Sequence, residues 1–353
     1  MADLALRAEL SVHGVRADPP LQRRSGAAPD DDGFWLLDGL PVVVPVAPDS
    51  PWARSDDGVL TRDGIVVAAQ LAPVARPRFY DLSTARGVPY EQIARLHGRD
   101  VLATTVLQTC VRYGDEATRC RFCTIEEPLR AGRTLRVKRP DQIAEVAVAA
   151  VRLDRVRQVV MTTGTSNGPD RGAKHLARCA AAVRHAIPRL PIQVQIEPPG
   201  GLGWIARLHD AGATSIGIHV DSLDQDVRAR WTPGKAAVPL ERYDVVWREA
   251  VRLFGRNRVA TFLLIGLGEN PDQLVQGAKR LIAMGVYPLV VPHRPLAGSL
   301  AHADGVPAPG HDLVADVTDR VAALLRKAGM RGADQRAGCA ACGACSALSA
   351  VGG

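Results

Sequence analysis

The sequence predicts an α/β chain built on a partial (β/α)6 barrel of the TIM type. A small N-terminal β or irregular segment precedes the barrel and a cysteine-rich tail follows it. Three observations carry this. Six short apolar runs, rich in branched residues, fall at 102–109, 158–163, 192–197, 215–220, 259–265 and 286–291, the pattern of parallel strands buried on both faces. Helical periodicity fills the intervals between them. Hydrophobic residues make up 46% of the 353, enough for a sizeable core, which excludes a disordered or fibrous chain.

Residues 1–100 form the first predicted region. They are rich in Pro, Gly and Asp, with a loose stretch at 25–33 and short β-type runs at 34–37, 41–46 and 64–69. The run at 90–96 leads into the barrel, 101–310, through a short helix. Ile143, Val146, Ala147, Ala150 and Val151 then recur at helical spacing, as do Tyr243, Val246, Trp247, Ala250, Val251 and Phe254. Asn270 before Pro271 marks a helix start and Gly285 its stop. The third region, 311–353, opens with a helix over 311–328 that Gly329 ends. Six β/α units in series imply a parallel sheet covered by helices. A doubly wound sheet is the alternative, and either places functional groups at the C-terminal ends of the strands.

Composition narrows the function classes. The formal charge is +7, and only five of the 44 basic residues are Lys. They are scattered, no block of five basic residues appears, and aromatics are 4%, so nucleic acid is not an expected partner. The opening residues show no basic region followed by an apolar stretch, and no run reaches the 18 or so apolar residues of a membrane span. A cytoplasmic protein is expected, with no membrane partner. In that compartment clustered cysteines are metal or redox groups before they are disulfides.

The seven cysteines divide into Cys110, Cys120 and Cys123, then Cys339, Cys342 and Cys345, with Cys179 alone. The first three follow the first strand, at the functional edge of the sheet. Three thiolates can share an iron–sulfur cluster but cannot complete a four-cysteine shell, which leaves one metal position open. A zinc site completed by a distant ligand is the alternative. In the tail, two successive two-residue gaps gather three thiols on one tight turn, and small residues between them let the backbone wrap a cluster. No fourth cysteine follows; Ser346 is the candidate in its place, and a zinc site or a flexible redox tail are the alternatives. Cys179 shares a helical face with Leu176, Ala180 and Val183, so it reads as core. His175 and His185 on that helix read as solvent-facing.

A cysteine triplet after the first barrel strand, closing on Cys120-Arg121-Phe122-Cys123, resembles the radical S-adenosylmethionine (SAM) superfamily. The first gap is nine residues here where three are usual. The resemblance implies that Cys110, Cys120 and Cys123 hold a [4Fe–4S] cluster whose open iron is chelated by SAM, with Phe122 against the adenine. It implies that Thr162, Thr163 and Gly164, in Met161-Thr162-Thr163-Gly164-Thr165, bind the SAM amino group. Glu197 closes the third strand before Pro198-Pro199 and would point into the site, toward the ribose or amino group. Arg228 or Arg230 would pair with the SAM carboxylate, and the backbone around Ile265 and Gly266 would contact adenine.

The wider chain resembles one subfamily, encoded in bacterial gene clusters beside nitrilase-like and acetyltransferase-like genes. The nine-residue gap, Gln195-Ile196-Glu197-Pro198-Pro199, Gly217-Ile218-His219-Val220, Trp231-Thr232-Pro233-Gly234-Lys235, Val291-Pro292-His293-Arg294-Pro295 and the tail carry that resemblance. It implies reductive cleavage of SAM to a 5′-deoxyadenosyl radical that takes hydrogen from a small-molecule substrate of specialised metabolism. A reducing partner such as flavodoxin or ferredoxin is implied. A second [4Fe–4S] cluster on Cys339, Cys342 and Cys345 would donate sulfur, as in biotin- and lipoyl-synthase-like enzymes, or anchor the substrate. Rearrangement or oxidation without sulfur transfer is one alternative, and a non-catalytic two-cluster electron carrier is another. His219, His293 and Arg294, at strand ends, are the candidate substrate contacts, with Trp231 and Lys235 in a loop that lines the site. No side chain is assigned a catalytic role.

Overall fold

The computed structural model describes residues 4–16 and 33–351. Residues 25–32 of the expected loose stretch lie outside that range. Twelve strands among the described residues form two sheets. The first is antiparallel, ordered β2-β1-β5-β4-β3, from Phe34–Leu37 (β1), Leu40–Val43 (β2), Trp52–Arg54 (β3), Val59–Arg62 (β4) and Ile65–Pro73 (β5). The second runs in chain order as Arg95–His97 (β6), Val101–Thr105 (β7), Gln158–Thr162 (β8), Ile192–Ile196 (β9), Ser215–Ile218 (β10), Val259–Ile265 (β11) and Val286–Pro292 (β12). Strands β7 to β12 are mutually parallel, so the sheet curls into the predicted partial barrel. Helices over Pro140–Asp154, Ala173–Ala186, Leu240–Phe254, Pro271–Met284 and His311–Lys327 cover it.

The helix ends follow from the sequence. The Asn270 side chain accepts from the Asp272 and Gln273 N–H groups, and Gly285 ends the helix in the left-handed conformation. The strands bury alternate faces. In β9, Ile192, Val194 and Ile196 pack into the main core, which leaves Gln193 and Gln195 on the opposite, interior face. Cys179 is fully buried in the same core.

The structure departs from the expectation in four places. Strand β6 joins antiparallel to β7 as a seventh member; three residues are too few to show a period. The N-terminal sheet has five strands rather than three runs. A helix over Leu4–His13, not expected, packs beside His311–Lys327, with His13 Nε2 3.1 Å from His311 Nδ1. His175 is half-buried rather than solvent-facing, with Nε2 2.9 Å from the Lys138 carbonyl oxygen; His185 is exposed. No helix among the described residues is long and apolar enough to cross a membrane.

The end of β7 is tied down by a buried cation. Lys138, 2% exposed, donates to the Thr105 carbonyl at 2.7 Å and to Gln108 Oε1 at 2.9 Å. Burial lowers its pKa to about 7. The unfolded chain keeps that proton to ~10, so above pH 7 it binds more protons than the folded chain, and stability rises with pH in that window. Lys138→Met is expected to remove up to ~1.4 kcal/mol per pH unit of this slope between pH 7 and 8.5. Urea unfolding at each pH measures it; an unchanged slope would mean the ammonium stays charged throughout.

Candidate active site

The loop after β7 carries the first triad, and glycines set how closely it is packed. The Gly164 N–H donates to the Leu107 carbonyl at 2.8 Å, and the Val111 N–H to the Thr165 carbonyl at 3.0 Å. A Cβ on Gly164 would lie 2.1 Å from the Thr109 carbonyl oxygen, so only glycine lets the loop cross there. Gly234 plays the same part on the other side, where a Cβ would meet Arg112 Cδ at 2.4 Å. Cys110, Cys120 and Cys123 lie within electrostatic reach of one another. Burial is the main cause that pushes the Cys123 thiol up to about 11, and the field of Cys110 adds to it. The Cys120 thiol is raised by burial too, with Cys123 and Cys110 contributing and Lys235 opposing.

Two buried ion pairs flank this triad. Glu197, at the end of β9, is held by both terminal nitrogens of Arg112 and accepts from the Thr165 hydroxyl at 2.8 Å. Burial alone would raise the Glu197 carboxyl, but the hydrogen bond and charge of Arg112, aided by Lys235 and Thr165, hold it below the usual carboxylate range. Lys235 Nζ lies 2.6 Å from Asp221 Oδ2 and 3.3 Å from the His219 carbonyl oxygen. Burial works against its charge, yet the fields of Asp221 and Cys120 raise its pKa. Asp221 reaches this position with a left-handed backbone, φ 68°. Glu197 therefore points into the site but spends its oxygens on protein partners.

Other expected cofactor contacts are also engaged. Arg228 is fully buried and donates to the Lys235 and Val238 carbonyls and to Gln225 Oε1. Trp231 and Lys235 lie not in a loop as expected but in the short helices Gln225–Trp231 and Pro233–Ala236, and Arg228 braces the second of these. Arg230 donates to the Leu267 carbonyl. The Ile265 carbonyl accepts from the His293 N–H at 2.8 Å, and the Gly266 N–H donates to Glu269 Oε1 at 2.8 Å. Gly266 is needed for close approach, since a Cβ would meet Pro309 at 2.6 Å. Phe122 packs in an apolar group with Val227, Trp231, Leu267 and Ala301. Thr163 bonds the Gly164 carbonyl, and the Thr162 hydroxyl donates to Gln195 Oε1 at 2.8 Å.

The second triad lies in the open seam of the barrel. Cys339–Cys342 form one helical turn. The Gly338 N–H before it donates to Gln158 Oε1 at 2.7 Å, and the Ala337 carbonyl accepts from Ser215 Oγ at 2.9 Å. Beyond the turn, the Ala344 carbonyl accepts from the Val43 N–H of β2 at 2.9 Å, and Ser346 Oγ donates to the Val290 carbonyl of edge strand β12 at 2.5 Å. Cys342 lies against Gly98, beside β6, where a Cβ would be 2.7 Å from its sulfur. The tail thus bridges the edges of both sheets. With its hydroxyl given to Val290, Ser346 is a wall residue rather than a ready fourth ligand. Burial pushes the Cys339 thiol up to about 12, with Cys345 adding to it.

Each triad suits an iron–sulfur cluster by its donor set: three cysteine thiols that feel one another's charge, none in a disulfide, with one coordination position left over. Among the described residues no three His, Cys, Asp or Glu side chains are already gathered as a metal-ion site, so each triad is a set of ligands rather than a finished cage.

Between the triads the barrel interior is polar. Gln193, Gln195 and Glu197 line one face of β9, from the tail toward the first triad. His219 stacks on Phe262 with ring centroids 3.9 Å apart. Its Nδ1 accepts from the Phe262 N–H at 3.1 Å, which puts the proton on Nε2, and that atom has no partner among the described residues. Burial holds its pKa down to about 3. His293 is 1% exposed and meets Trp231 edge-on, and neither ring nitrogen has a hydrogen-bond partner among the described residues. Arg294 donates to the Cys345 carbonyl at 3.4 Å, and its Nε has no partner among the described residues. On the opposite side, a cavity of about 570 Å³ lined by Gln158, Tyr287, Arg99, Arg331 and Cys342 opens at the N-terminal ends of the strands.

Sequence reasoning missed Arg112, Asp221 and Gln193 as site residues. Arg112 sits in a loop with no period to single it out. The two glutamines left a signal: polar residues alternating with Ile and Val in a buried strand mark a polar interior face.

The sequence profile of the Radical SAM superfamily matches residues 117–281, a span that takes in Cys120 and Cys123 and begins after Cys110. The mitochondrial lipoyl synthase of Vitis vinifera is 25% identical over 189 residues, 52% of this chain and 45% of that protein. The lipoyl synthase of Oleidesulfovibrio alaskensis is 33% identical over 183 residues, 49% of this chain and 56% of that protein. The chain thus spans about half the length of the curated relatives it matches. Among solved structures, methylornithine synthase superposes with a TM-score of 0.47 at 12% identity, covering 71% of this chain and 78% of that one.

Proposed function

We propose that this chain, whose residues 117–281 match the Radical SAM superfamily profile, is a radical SAM enzyme that reductively cleaves SAM, abstracts hydrogen from a small-molecule substrate and inserts sulfur drawn from the tail. A [4Fe–4S] cluster on Cys110, Cys120 and Cys123, with SAM, supplies a one-electron cleavage to methionine and a 5′-deoxyadenosyl radical. The protein's part is to bind, orient and exclude water. Arg112 and Lys235 place positive charge beside the thiolates of the first triad. The Glu197–Arg112 and Asp221–Lys235 pairs fix the mouth of the chamber, and Phe122 and Trp231 give it an apolar side. His219 Nε2–H, His293 and Arg294 Nε are unspent polar groups that suit a polar or anionic substrate group.

One observation carries the sulfur assignment: Cys339 of the tail triad is contacted by Gln195, which faces the barrel interior. An electron carrier has no need to enclose its second cluster there. The lipoyl synthase relatives favour the same reading. The motif order from Thr162 to Arg294 supports the nitrilase-associated subfamily; the proposal also carries a cytoplasmic setting, division at residues 100 and 310, and a flavodoxin or ferredoxin as reductant.

The test is anaerobic reconstitution with iron and ³⁴S-sulfide, then a single turnover with SAM, dithionite and a small-molecule cell extract. Release of 5′-deoxyadenosine and a product bearing ³⁴S are expected. Absence of 5′-deoxyadenosine removes the radical reading; a product free of ³⁴S removes sulfur insertion.

A further inference from the structure

We infer that Gln195 is a positioning residue for the tail cluster, donating its side-chain N–H to the Cys339 sulfur and raising that cluster's reduction potential. This rests on the reading of Cys339, Cys342 and Cys345 as cluster ligands. The two atoms are 3.4 Å apart. The direction of the bond is set by a chain of contacts that begins at a group able only to accept. The Ala337 carbonyl takes a hydrogen bond from Gln193 Nε2 at 3.4 Å. That turns Gln193 Oε1 toward Gln195, whose Nε2 donates to it at 2.9 Å. The same nitrogen's second hydrogen then faces Cys339, and Gln195 Oε1 is closed by the Thr162 hydroxyl at 2.8 Å. Every polar atom of the amide is used, so the amide cannot flip without breaking three contacts.

The approach is built for. Gly338 adopts φ 118°, and a Cβ there would lie 2.0 Å from Gln193 Nε2, so only glycine lets the tail reach the two amides. Reduction makes a cluster and its thiolates more negative, and a fixed donor to a ligand sulfur favours the reduced form. Gln195 also stands between Gln193 and Glu197 on the interior face of β9, so the group that tunes the tail cluster is part of the chamber wall.

The experiment is an EPR-monitored redox titration of the full chain, reconstituted anaerobically, following the cluster signal that does not respond to SAM. Gln195→Leu should lower the equilibrium constant for one-electron reduction about tenfold, a fall of ~59 mV, at undiminished iron content. Thr162→Val, which frees the amide carbonyl, should move the potential the same way by less. An unchanged potential with both clusters loaded overturns the inference. Should Gln195→Leu fail to load the tail, Thr162→Val decides on the same criterion. A wild-type protein holding about four iron atoms rather than about eight overturns the cluster reading itself, a result distinct from an unmoved potential.

Discussion

Replacing Arg112 by methionine is expected to destabilise the protein by ~3–5 kcal/mol, the cost of stranding a buried charge. Glu197 is 7% exposed and would keep only the Thr165 hydroxyl as partner. The double variant Arg112→Met, Glu197→Leu should recover most of the loss, because removing both charges removes the desolvation that made the single variant costly. The pH dependence carries a sign. In the wild type the Glu197 carboxyl is held low, so its contribution is present above the unfolded value of ~4.3 and is lost as pH falls below it. Without Arg112 burial raises the carboxyl instead, so the variant's deficit should shrink on going from pH 8 to pH 5.5. Urea unfolding of the single and double variants measures both effects; a single-variant cost under ~1 kcal/mol, the range of an exposed pair, would refute the assignment.

Alanine at Cys339, Cys342 and Cys345 is expected to lower the iron content from about eight atoms to about four and to abolish product. Some 5′-deoxyadenosine formation should persist, uncoupled from product. Alanine at Cys110, Cys120 and Cys123 should leave about four iron atoms and no 5′-deoxyadenosine at all. The asymmetry separates an enzyme with one radical-generating centre from a carrier with two equivalent clusters. Equal loss of 5′-deoxyadenosine in both variants, with iron at about four in each, would contradict the division of labour.

The barrel is legible in the sequence because its strands are buried on both faces: short, mostly apolar runs rich in branched residues, such as 158–163 and 259–265, admit few other readings. The triads are legible because thiol spacing is a direct statement of ligand geometry. Strand β6 escaped because three residues show no period. The rest that escaped depends on contacts distant in the chain: the helix over Leu4–His13 exists through its packing on His311–Lys327. Arg112 acquires its role from Glu197, 85 residues away. Arg228 shows the converse. An arginine downstream of the fourth strand suggests an anion partner, yet burial commits it to backbone carbonyls that no spacing rule could indicate.

The tail that closes the barrel seam has a kinetic consequence. It reaches Gln158 across 180 residues, Gln195 across 144 and Arg7 across 336. Contacts of such separation form after local ones, because loop closure must precede any gain from the contact. The seam is therefore the last part of the barrel to shut during folding. Until then β12 presents an unpaired edge with the Val290 carbonyl bare, the kind of edge that invites intermolecular pairing. Refolding should show a late phase in which this edge is covered, and dilution should favour monomer recovery by giving the tail time to arrive before a second chain does.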